Sequence, residues 1–200
     1  MAQKPQTDPI LTPELIKIIK IFGIASISLV FILSFFNDKR ANNSGEDDTF
    51  RMADSDRLYF LNVRASYYDR ENRSDAGMAL FRHGKRQISD SIPMLDLLII
   101  LNSQKDEVYL YLEPMNFDWP IKIRASAELK SEEFTLDNGN KFDHKSHVDK
   151  LKPWIEETAS FELWHSAAWI PIWASPKEKE VLKTILNDYF RLLNQNQRIN

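Results

Sequence analysis

From Leu15 to Phe36 the chain runs for 22 positions in which Lys17 and Lys20 carry the only charges, and from Ile21 onward the run is uncharged and almost wholly apolar. At about 1.5 Å per helical residue, such a run reaches roughly 33 Å, close to the ~30 Å hydrocarbon thickness of a bilayer. The sequence therefore predicts a single transmembrane helix over residues 15–36, anchored through residues such as Leu15, Ile21 and Phe36. Thr12 serves as N-cap and Pro13 as first helical residue, and the two lysines snorkel to the headgroups. A cleaved signal peptide would end its apolar core in small residues, whereas this one ends in Phe35, Phe36 and Asn37. A buried helix of a soluble protein seldom lacks a polar face over that length.

The helix divides the chain into an N-terminal tail (1–14), the span (15–36), a polar linker (37–50) and an α+β domain (51–200). Positive charges flank the span almost evenly, so orientation rests on a narrow count. The free amine tips it toward an inside tail and a periplasmic or extracytoplasmic domain. Residues 51–200 hold 21 Lys/Arg against 23 Asp/Glu, which leaves no excess positive charge to attract a phosphate backbone and argues against nucleic acid as a partner. With no cysteine in the chain, disulfides, thiol nucleophiles and Cys-rich zinc sites are excluded together.

Within the domain, alternation of apolar and polar residues predicts a strand at 58–68, with a helix as the competing reading. Strands are also predicted at 78–83 and 121–127, and residues 94–101 and 108–112 form a hairpin around NSQKDE. Phe134–Leu136 followed by Asp137-Asn138-Gly139 predicts a further tight hairpin. Ser175, Pro176 and Glu178 form a capping box that starts a helix running to about Leu193, with one broad apolar stripe. Together these elements predict a mainly antiparallel sheet of five or six strands, or a partly open barrel, packed by a C-terminal amphipathic helix.

Chemistry-bearing motifs are sparse. Asp143, His144, His147 and Asp149 form the densest run of metal-ligand types, but no HExxH pattern or third histidine accompanies them, and the competing reading is a hydrophilic turn or short solvated helix. No glycine-rich phosphate loop and no serine-nucleophile elbow is present, so no cofactor is expected. Four of the five tryptophans, Trp154, Trp164, Trp169 and Trp173, fall within residues 153–174. Such density implies a core strand pair or helix-strand unit packed under the C-terminal helix, an aromatic surface for a partner, or insertion at the membrane interface. The sequence thus leads to a membrane-anchored, non-enzymatic interaction or assembly module, with the lipid bilayer and other membrane or envelope proteins as partners, as in a subunit of a bacterial envelope or secretion complex. A single-pass sensor with a small ligand in its domain is the alternative, ahead of a metal-dependent hydrolase using His144 and His147.

Overall fold

The computed structural model describes residues 12–35, 48–128 and 130–193. The chain divides into two compact units, Met1–Glu46 and Asp47–Asn200. In the first, helix α1 spans Pro13–Phe35, and the Thr12 hydroxyl caps it by accepting from the Leu15 amide at 3.2 Å.

The transmembrane expectation is overturned. No helix among the described residues is long and apolar enough to cross a membrane, so the single-pass membrane assignment and the localisation built on it do not stand. The reason lies in the first two turns, where Glu14, Lys17 and Lys20 interrupt the apolar character of α1. Residues 21–35 remain uncharged, and at about 1.5 Å per residue they extend roughly 22 Å, short of the ~30 Å that a span requires. Leu15 and Ile21 are exposed in α1, and Phe36 lies outside the described residues.

The second unit also corrects the predicted sheet: among the described residues, eight strands form two antiparallel four-stranded sheets. Strands β1 (Tyr68–Arg73), β2 (Met78–His83), β3 (Met94–Asn102) and β4 (Glu107–Met115) lie in chain order as a meander. Strands β5 (Ile121–Ala127), β6 (Lys130–Leu136), β7 (Ser160–His165) and β8 (Ala168–Ile172) lie in the order β6-β5-β7-β8. Ile121, Ile123 and Ala125 point inward as their alternation dictates. Leu95 to Ile99 are buried without interruption, which means that both faces of β3 are covered.

Among the described residues, three α-helices accompany the sheets: α2 (Asp54–Tyr59), α3 (Lys141–Glu156) and α4 (Pro176–Leu192). The α4 start is as predicted, with Ser175 and Glu178 forming a reciprocal capping box. Its stripe, including Val181, Leu182, Ile185, Leu186 and Tyr189, enters one hydrophobic core shared with the inner faces of both sheets.

Two local expectations fail for physical reasons. Residues 58–68 are largely helical rather than a strand, continuing from α2 through a π turn at Phe60–Arg64 and a 3-10 turn at Ala65–Tyr67. The alternating set Tyr59, Leu61 and Val63 stays outside the core, while Phe60 is buried and Arg64, one turn on, reaches Asp188 of α4. Asp137-Asn138-Gly139 does not close a hairpin either. It leads into α3, where the Asn140 side chain accepts from the Phe142 and Asp143 amides and Asp143 returns a bond to the Asn140 amide.

Candidate functional site

The sequence-nominated residues are distributed rather than gathered. His144 and His147 lie one turn apart on the buried face of α3, ring centroids 6.1 Å apart. Asp143 is spent on the α3 capping box, and Asp149 pairs with Lys145 at 2.6 Å on the exposed side. No group of three or more metal-ligand side chains occurs among the described residues. His144 packs between Tyr111 and Trp119, and its Nδ1 accepts a long 3.4 Å bond from the Leu112 amide. Burial, reinforced by His147, pushes its pKa down to about 4.

The tryptophan segment comprises the end of α3 and the β7–β8 strand pair, and its four rings take different roles. Trp173 is buried, and its Nε1 donates to the Leu95 carbonyl at 2.7 Å, tying the end of β8 to the start of β3. Trp154 is half-buried against Phe134. Trp164 and Trp169 are cross-strand partners with ring centroids 5.2 Å apart. The Arg124 guanidinium sits 3.9 Å over the Trp169 ring, which leaves Trp164, at 42 % exposure, as the most open of the four.

A better-formed site lies where the connection after β2 meets the first turns of α4. There a cleft of about 110 Å³ is walled by Ile92, Met94, Met115, Ile172, Trp173 and Leu182, with Arg86, Asp96 and Glu178 as its charged groups. An apolar cavity of about 150 Å³ takes benzene, so this volume takes about five heavy atoms, with any longer ligand extending through the open side of the cleft. Asp96 is only 6 % exposed. Its Oδ1 accepts from the Leu97 amide at 2.8 Å, while its Oδ2 is closed to water and receives no hydrogen bond. Charge compensates that oxygen instead, first from Arg86 Nε at 3.5 Å and then from Arg82. Burial dominates the balance and lifts the Asp96 pKa to about 6, against the Leu97 amide and Arg86, which pull it down.

Arg86 is a shared cation, since it also bonds the Asp69 carboxylate and the His83 carbonyl. Glu178 caps Ser175 through one oxygen, Oε2. The cleft is therefore lined by two carboxylates, Asp96 and Glu178, against one guanidinium that it shares with Asp69 outside, and it is net negative. Sequence inspection passed over Asp96, although its signal was present: it is the single carboxylate inside the apolar run Met94–Leu101, where a charge is costly unless it has a use. An apolar cleft with one convergent polar group of perturbed pKa is the arrangement expected of a small-ligand site. No family model matches the chain, and no curated protein or solved structure matches it.

Proposed function

We propose that the Asp47–Asn200 unit is a small-ligand-binding module whose cleft takes a compact primary amine with an apolar body. The observation that carries this reading is the buried Asp96 Oδ2, which has no hydrogen-bond donor and lies beside apolar walls. An ammonium group supplies the missing donor and a charge of the right sign, with Arg86 Nε yielding its loose 3.5 Å position. Protein docking through the tryptophan segment has less support, because Trp173 and Trp154 are engaged in packing and Arg124 covers Trp169.

Benzylamine and butylamine are suitable probes. Calorimetric titration near neutral pH is expected to show saturable binding, and the melting temperature to rise with ligand concentration. Because a hydrogen bond to a charged group contributes about 1.5–3 kcal/mol, Asp96→Asn is expected to weaken the amine about ten- to a hundredfold. Affinity should also fall as pH drops through 6, where the carboxylate takes up its proton. Equal affinity for wild type and Asp96→Asn would sink the assignment.

A further inference from the structure

Val181 separates the apolar cleft from a second, wider groove of about 440 Å³, whose charged and aromatic lining is Arg64, Tyr67, His83, Lys85, Lys177 and Glu180, with the Thr184 hydroxyl beside them. Its electrostatic character is opposite to that of the cleft. The Arg64 charge is matched by Asp188, which accepts from its Nε at 2.8 and 3.1 Å. Lys85 and Lys177 are both exposed, and neither has an acidic partner among the described residues. Glu180 is the single carboxylate on the wall, so the groove has a net positive charge.

His83 gives this surface a built donor. The residue is 5 % exposed, and its Nδ1 accepts from the Lys85 amide at 3.2 Å. An imidazole nitrogen that accepts carries no proton, so in the neutral ring the proton sits on Nε2. That N–H has no hydrogen-bond acceptor among the described residues. Burial holds the ring neutral, aided by Lys85, Arg64 and Arg86 against Asp188. The groove therefore brings together one fixed neutral donor and two mobile ammonium groups, the donor set that suits a compact polyanion. Tyr67 adds a planar wall: Arg64 lies over its ring at 5.0 Å, and the side chain is still 52 % exposed, leaving room for a second flat group.

We propose that this groove is a binding site for a phosphomonoester attached to a planar ring, the chemistry of a nucleoside monophosphate. The phosphate sits between His83 Nε2, Lys85 and Lys177, and the ring lies against Tyr67. This site is independent of the amine cleft and does not require it to be occupied.

The test uses the full chain at constant ionic strength, with inorganic phosphate, adenosine monophosphate and adenosine as probes in calorimetric titrations. Both phosphorylated probes are expected to bind, the nucleotide more tightly, and adenosine weakly or not at all. The double variant Lys85→Gln/Lys177→Gln is expected to lose at least about tenfold in affinity for both anions, as befits the removal of charge-assisted bonds. Tyr67→Ala should erase the nucleotide's advantage over inorganic phosphate. These side chains are exposed, so an unchanged urea midpoint confirms intact folding, and unchanged benzylamine binding shows that the cleft is untouched. Absence of saturable phosphate binding, adenosine binding as tightly as its monophosphate, or full affinity in the lysine double variant would each overturn the proposal.

Discussion

Asp188→Ala is expected to lower the unfolding free energy by about 3–5 kcal/mol in urea titrations, the range found when one partner of a buried ion pair is removed. Asp188 is 6 % exposed on α4 and holds two groups at once. It accepts from Arg64 Nε and, at 2.7 Å, from the Tyr68 hydroxyl, which joins α4 to the helical stretch and to β1. Burial first, then the Asp188 charge and its hydrogen bond, drives the tyrosine pKa far above its ordinary value, so the phenol stays a donor throughout the accessible range.

The two partners abandoned by the substitution fare differently. The Arg64 side chain is 26 % exposed and can turn toward water, which places the ion-pair loss at the lower end of the range. The Tyr68 hydroxyl is buried and cannot, so it adds the ~1–3 kcal/mol cost of an orphaned polar group. Tyr68→Phe removes donor and hydroxyl together and should cost only about 1 kcal/mol. If Asp188→Ala cost no more than Tyr68→Phe, the buried network would not be a principal brace of α4.

Asp188 also illustrates what sequence could and could not reveal. The α4 cap and stripe were legible because Ser175, Pro176 and Glu178 act within one turn and the apolar residues repeat at helical spacing. Strands β2 and β5 were legible because each alternates cleanly between core and solvent. Residues 58–68 misled because Tyr59, Leu61, Val63 and Tyr67 alternate by chance. The residues that decide their conformation are Phe60, which meets Phe81 of β2, and Arg64, which meets an acid 124 positions away. The same distance hid both candidate sites. Asp96 and Trp173 share a cleft only because β3 and the end of β8 are joined by the Trp173–Leu95 bond. His83, at the end of β2, and Lys177, at the start of α4, line one groove although 94 positions separate them. At the amino end the uncharged stretch 21–35 is too short to span by itself, and the snorkelling of Lys17 and Lys20 does not lengthen it enough.

Two buried groups shifted in opposite directions within the acid range make a second, sharper prediction. His144 has a folded pKa of about 4, below its unfolded value near 6.5. Its neutral form is favoured in the fold, so it contributes stability that is complete above pH 6.5 and is lost as pH falls through 4. Asp96, with a folded pKa of about 6 and an unfolded value near 3.8, behaves inversely. Its contribution is complete below pH 3.8 and is lost as pH rises through 6. Each shift exceeds two units, and at 1.36 kcal/mol per unit each is worth about 3 kcal/mol. Between pH 4 and 6 the two slopes cancel, and the remaining wild-type slope comes from His83, whose pKa burial also lowers, and from carboxylates, both common to all the variants below.

Removing either group uncovers the other. Asp96→Asn should leave a protein that gains about 3 kcal/mol, relative to wild type, as pH rises from 4 to 6.5. His144→Gln should leave one that loses a similar amount over the same interval, and the double variant should run parallel to wild type. The charges acting on the two sites are separate: His147 and Asp143 on His144, and Arg86, Glu113 and Arg82 on Asp96. The effects should accordingly add. Glu71, Glu107 and Glu133, whose pKa values are lowered, contribute equally to all four proteins and drop out of the differences. Urea midpoints measured at half-unit pH steps would decide the matter: single variants that track wild type across this interval would show that neither group is held away from its ordinary titration by the fold.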